Sequence, residues 1–308
     1  MATRPEESHY RIAAARLRTQ SSPILCHHGG PSSPTRSPTP VLTPHPLLAS
    51  LLYLLGAVLT WIGTARQQRV LATTGSAAAA VGLVLQLFAL TPALLQTEQA
   101  IVLTLADAAA MVGAVVATVG LISVLRGRLQ GAAAALWLTA AVLAVGSGSR
   151  GTLSGVAPMG YALMAHILLS ALAAGLLSVA AVLVVLLTAQ NARLRERRPL
   201  GMLAALPPLE ALESAVFNTV LAGFMLLSLS LLSGFLFIQD LFGQHLVHKT
   251  FLSIVAWCIF GTLLVGRHRF GWRGRQALRF LLTGYVILAT AYFGSRFVLE
   301  GLLGRHWG

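Results

Sequence analysis

Charged side chains are scarce in this chain. They make up 10% of its 308 residues, where a soluble domain carries roughly a quarter, and the shortage argues against a water-soluble globule. Lysine is almost missing: Lys249 is the only one, so the formal net charge of +13 rests on arginine. Those arginines sit in short clusters between apolar runs, as in loops beside a membrane, and form no basic face for nucleic acid. Cysteine is limited to Cys26 and Cys258 with no CxxC pair, which excludes thioredoxin chemistry and a cysteine-based zinc site. Cys258 lies inside an apolar run and reads as a small packed hydrophobe. A hydrolase elbow, a P-loop, a dinucleotide fingerprint and carboxylate pairs at helical spacing are all missing, so nothing points to an enzyme.

What the chain has instead is hydrophobic surface. Apolar residues reach 56% and mean hydropathy is +0.76. Eight apolar runs, at about 47–65, 70–95, 100–125, 129–147, 159–189, 214–239, 248–266 and 276–299, follow one another and read as segments crossing about 30 Å of hydrocarbon. In a bilayer such segments must be helices, because no water is present to satisfy their backbone polar groups. The expected fold is therefore all-α: a polytopic, multi-pass membrane bundle of about eight transmembrane helices over residues 47–308. The fifth run is long enough to tilt or to project beyond the bilayer.

Residues 1–46 differ in kind. The stretch GGPSSPTRSPTPVLTPHP carries Pro, Ser and Thr without amphipathic period, which reads as a disordered tail that includes Cys26, His27 and His28. Orientation follows from the loops. Arginines follow the first, third, fifth and seventh runs, at 66 and 69, 126 and 128, 193 to 198, and 267 to 275. The positive-inside rule places these loops in the cytoplasm and both termini outside. The tail conflicts with this, since it carries Arg4, Arg11, Arg16, Arg18 and Arg36; a translation start near Val41–Leu47 would remove the conflict.

Ionisable groups inside spans are costly and each needs a reason. His166 lies about two turns below the outer end of the fifth run, and Asp107 at similar depth in the third. His245 and His248 stand at the outer entry to the seventh, His306 follows the eighth on the same side, and His268 is at the cytoplasmic end of the seventh. Neutral imidazole is a common ligand for haem (heme) iron and other metals. Two histidines on separate helices opening toward one leaflet could clamp an iron from both faces, and His166 with His248 is the best pair. The plainer reading makes each a polar residue bonded to headgroup, water or backbone. Asp107 and Gln86 read as helix–helix glue. The tryptophans lie mostly near span ends, where indoles favour the interface.

The segment 252–302 contains GRHRFGWRGR, and the upstream stretches AHILLSALAAGLLSVAAVLVVLL (165–187) and SLLSGFLF (230–237) accompany it. Together they resemble the cytochrome c assembly family, the CcsA/CcmC/CcmF superfamily, in its YpjD-like inner-membrane branch. The resemblance spans roughly residues 47–302. It implies haem handling during c-type cytochrome maturation, with apocytochrome c as acceptor and outer and transmembrane histidines as ligands. By position, His166 matches the first outer histidine and His268 the second transmembrane one. HKTFLSIVAW (248–257) occupies the place of the family's tryptophan-rich segment, but its WWD signature is absent. Gln86 stands where the first transmembrane histidine is expected, and the second outer histidine is displaced to His306. The expected function is bis-His haem binding on the outer face and release by ligand exchange. A membrane scaffold or regulatory partner that keeps the fold without haem is the alternative. A transporter is weaker, since no internal repeat is visible.

Overall fold

A computed structural model describes residues 45–95, 105–127, 129–145, 161–197, 199, 201–237 and 247–294. The N-terminal tail up to residue 44 and His306 lie outside the described residues. Every apolar run contains a helix among the described residues: α1 His45–Ala65, α2 Arg69–Leu95, α3 Leu105–Leu125, α4 Gln130–Ala144, α5 Tyr161–Arg195, α6 Leu209–Phe237, α7 Val247–Phe270 and α8 Arg275–Ala289. A 3-10 turn, Gly201–Ala205, lies between α5 and α6, and a π-helical turn, Thr290–Gly294, continues α8. No strand occurs among the described residues.

Six helices, α1, α2, α3, α5, α6 and α7, are long and apolar enough to cross a membrane. The fourth run gives a shorter helix than its 129–147 span suggests. At 15 residues, α4 is roughly 22 Å long. Nine of its residues, among them Trp137, are buried, so neighbouring helices cover much of what hydrocarbon would otherwise cover. The 35 residues of α5 extend roughly 50 Å, as the length of the fifth run predicts.

The clusters of Arg66 and Arg69, Arg126, Arg193 to Arg197, and Arg267 to Arg275 lie at the connections α1–α2, α3–α4, α5–α6 and α7–α8, and contacts between elements bring these connections to one end. Local contacts agree. At that end the α4 residue Gly131 lies against Ala205 of the 3-10 turn, and Gln190 at the end of α5 donates to the Pro207 carbonyl at 3.2 Å. The α1–α2 hairpin packs on α3 and α4; α5 pairs with α6, and α7 with α8. α5 joins the two groups by contacting α3, α6 and α8, and it is the most enclosed of the six long helices. Phe88, Leu125, Val142, Leu236, Phe251, Val265 and Val286 remain exposed, as lipid-facing residues should. Cys258 is also exposed, so it meets the surroundings rather than the interior.

Polar side chains tie the first helices together. Tyr53 of α1 donates to Gln86 Oε1 at 2.6 Å, and Gln86 Nε2 donates to the Ala110 carbonyl of α3 at 2.9 Å. Both side chains are fully buried, as is Asp107. Ser50 of α1 donates to the Ala141 carbonyl of α4 at 2.8 Å. Gln86 is thus interhelical glue, its carbonyl and amide each given to a different neighbour. Hydrogen bonds of this kind in membrane bundles average about 0.6 kcal/mol, with a maximum near 1.7. We therefore expect a Tyr53→Phe/Gln86→Leu double-mutant cycle, read by unfolding in detergent, to give a coupling of about 1 kcal/mol. A coupling of zero would remove the bond from the stability account.

Two tryptophans depart from the expected interfacial placement. Trp137, midway along α4, is fully buried; its indole N–H points to the Ala117 carbonyl at 3.4 Å, and its ring lies on Gly120. Trp257 donates to Ser228 at 2.8 Å and stacks on Phe224 at 5.4 Å. A glycine opposite the first indole makes packing within the bundle possible, whereas Trp257 stays exposed while bonded to α6.

Candidate functional site

Near its start α5 carries His166, five residues past Tyr161 and so roughly 7–8 Å along the helix. One turn later comes Ser170, and both face the last turns of α6, where Ser230 and Ser233 are three residues apart and share a face. His166 Nδ1 lies 2.8 Å from Ser233 Oγ. Ser233 Oγ donates to the Ser230 carbonyl at 2.8 Å, and Ser170 Oγ donates to the His166 carbonyl at 2.7 Å. The hydroxyls of Ser170 and Ser230 meet at 2.6 Å. Tyr292, in the π-helical turn after α8, bonds Ser170 through its side chain. The histidine therefore stands in a polar seam shared by α5, α6 and α8.

Gly234 forms one wall of the seam. A methyl group there would come within 3.2 Å of His166 Cε1, so the ring rests on bare α6 backbone. A neutral imidazole whose other nitrogen is held by a hydrogen bond is the usual state of a metal-ligating histidine. No group of three or more His, Cys, Asp or Glu side chains that could hold a metal ion occurs among the described residues.

The other candidate histidines separate into two places. His248 is in the first turn of α7, at the same end of the bundle as His166, because α6 ends there and α7 begins there; its side chain lies outside the described set. His268 is in the last turn of α7, roughly 30 Å further along the helix, and is exposed among arginines. The fold thus brings His166 and the start of α7 to one end and places His268 at the other.

The GRHRFGWRGR segment forms the corner between α7 and α8. Gly271, with φ +66, is the left-handed cap of α7, its N–H bonding the Arg267 carbonyl at 3.2 Å. The chain then turns back so that Trp272 N–H reaches the Gly266 carbonyl at 3.2 Å and its indole covers Gly266. Trp272 stacks on Phe280 of α8 at 4.8 Å. Glu213 of α6 binds Arg267 at 2.6 Å and Arg273 at 3.2 Å, while the Arg267 guanidinium lies 4.5 Å above the Phe217 ring. The motif's glycines and tryptophan thus build a structural corner.

Sequence reasoning did not single out Ser170, Ser230, Ser233, Tyr292 or Glu213. The signals were there: Ser170 is four residues after His166, Ser230 and Ser233 are three apart, and Glu213 is one of few acids in the chain. Spacing alone does not say which helix each face meets.

The model of the family described as cytochrome C assembly protein matches residues 40–303. Over 138 residues the chain is 36% identical to "Inner membrane protein YpjD" of Escherichia coli strain K12, covering 45% of this chain and 52% of that one. It is 34% identical over 141 residues to an uncharacterized 28.8 kDa protein of Azospirillum brasilense, covering 45% of this chain and 52% of the other. It is 26% identical over 100 residues to "Cytochrome c biogenesis protein CcsA" of Synechococcus strain CC9605, covering 32% of this chain and 33% of that one. The aligned stretches thus span about half the length, or less, of these curated relatives. No solved structure matches the chain. With its family model reaching across all the described helices, the chain belongs to the cytochrome c assembly protein family and is a multi-pass inner-membrane protein.

Proposed function

We propose that the protein handles haem in cytochrome c maturation, on the face of the bundle opposite its arginine-rich end. By the positive-inside rule that face is the outer one. One observation carries the reading: His166, a costly polar residue within a span, has Nδ1 engaged by Ser233 at 2.8 Å, which suits the imidazole to ligation through Nε2.

Haem, if bound, would be held by His166 through Nε2 and by His248 at the same end, with His306 as the alternative to His248, and would supply an iron that takes neutral imidazole donors. Ser233 orients the His166 ring, and Gly234 gives it room. A hydroxyl behind the ring, in place of a carboxylate, keeps the imidazole a moderate donor, which favours release to an acceptor such as apocytochrome c by ligand exchange. In this reading the chain performs no turnover chemistry. His268 is the candidate ligand on the arginine-rich side.

A second reading has one observation in its favour. Gln86, in the place of an expected ligand, has both amide atoms committed to Tyr53 and Ala110, so that position is structural. A membrane scaffold or regulatory partner would keep the fold without haem.

The test is an absorption spectrum of the full chain purified from haem-replete cells, with pyridine haemochrome quantitation. Near-stoichiometric haem is expected, falling roughly tenfold or more in His166→Ala with unchanged thermal unfolding. Colourless protein that also fails to bind added hemin would overturn the proposal, and a stable co-purifying protein would then support the scaffold.

A further inference from the structure

We infer that Ser233 is the positioning residue that makes His166 a ligand through Nε2. The inference rests on the haem-handling reading for what is ligated, but the state of the imidazole follows from the hydrogen bonds alone.

Each hydroxyl in the seam has one proton. The Ser233 proton goes to the Ser230 carbonyl, 2.8 Å away in its own helix. With its proton so used, the Ser233 oxygen accepts from His166, which makes the 2.8 Å contact Nδ1–H to Oγ, and the Ser230 carbonyl is a second acceptor for the same ring. The Ser170 proton goes to the His166 carbonyl, which makes the Ser230 hydroxyl the donor in the 2.6 Å contact between the two serines. The Ser170 oxygen is then left to accept from Ser230 and from the Tyr292 hydroxyl, so the serine chain runs in one sense. Reversing the histidine would make Nδ1 an acceptor, and Ser233 would have to give up its bond to α6 to supply the proton. The lone pair is thereby assigned to Nε2, the nitrogen further from Ser233.

Gly234 leaves room for the same ring. Cβ contacts under 3.4 Å are rare, and a methyl there would meet Cε1 at 3.2 Å, so a side chain at 234 crowds the imidazole. Adjacent residues on α6 thus supply the hydrogen bond and the clearance. Ser233 presents a neutral acceptor to Nδ1–H. An aspartate there would draw the proton further, raise ligand basicity and strengthen the bond to iron. Serine is the choice suited to a ligand that must let go.

The experiment uses full-length protein with 15N-labelled histidine in detergent micelles, without haem, and assigns the His166 signals by their loss in His166→Gln. The wild type is expected to show Nδ1–H with an unprotonated Nε2. Ser233→Ala is expected to move His166 toward the opposite tautomer or a mixture, and Ser233→Thr, which keeps the hydroxyl, to restore it. In hemin titrations, Ser233→Ala should weaken binding roughly tenfold or more, while Ser233→Asp should tighten it and lower the midpoint potential. A wild-type His166 carrying its proton on Nε2, or signals indifferent to Ser233→Ala, would overturn the inference even if hemin binds. The expected tautomers without hemin binding would support the positioning role and sink the haem reading instead.

Discussion

Valine in place of Gly75 is expected to destabilise the protein by about 3 kcal/mol, the upper part of the range for overpacking a close contact. The α1–α2 hairpin is joined through bare backbone. A Cβ on Gly75 would lie 2.5 Å from Thr60 Oγ1, 2.6 Å from Thr60 N and 2.9 Å from the Gly56 carbonyl oxygen. Opposite it, a Cβ on Gly56 would be 2.8 Å from the Gly75 carbonyl oxygen. Peptide groups cannot swing aside as a side chain can, so the helices must separate. Separation costs the dispersion energy that holds membrane helices together and stretches the 2.6 Å bond between Tyr53 and Gln86, which crosses the same pair. Ala77→Val, on the exposed face of α2, should change stability by less than about 0.5 kcal/mol. Unfolding in a graded denaturing detergent reads both. Equal effects would mean that the hairpin is looser than its contacts indicate.

Removing Glu213 is the second large effect expected. One carboxylate holds Arg267 and Arg273 at the corner of α6, α7 and α8, and the Arg267 and Glu213 side chains are only 27% and 20% exposed. Glu213→Gln leaves the Arg267 guanidinium over the Phe217 ring without its counter-charge, which should cost about 3 kcal/mol. Arg273 is 68% exposed, so Arg273→Gln should cost at most about 1 kcal/mol. Replacing the inner pair together, as Glu213→Leu with Arg267→Leu, should recover most of the loss, because apolar residues carry no buried charge. Chemical denaturation of the three variants checks this. A double variant as unstable as Glu213→Gln would show that the corner needs the ions themselves.

The candidate site was partly legible from the chain. His166 marks itself, because an ionisable residue in an apolar run is expensive. Its surroundings do not. Serine costs little in a transmembrane helix, where it can bond its own backbone, as Ser178 and Ser228 do; Ser233 and Ser230 therefore look like many others until α5 is laid beside α6. GRHRFGWRGR is conspicuous for charge and histidine, yet what it builds is a glycine-capped corner covered by Trp272, with His268 exposed.

By itself the sequence determined where the helices run and how the arginine clusters alternate, because a bilayer leaves the backbone no other way to satisfy its polar groups and sorts basic loops to one side. Tertiary structure alone decided which polar side chains meet. It assigned Gln86 to Tyr53 and Ala110, Glu213 to two arginines, and His166 to Ser233 beside a glycine. The physical reason is that every face of a membrane helix is apolar enough for lipid, so the residues carry no mark of the neighbour they will touch. Close approach of glycines and the matching of single donors to single acceptors choose that neighbour.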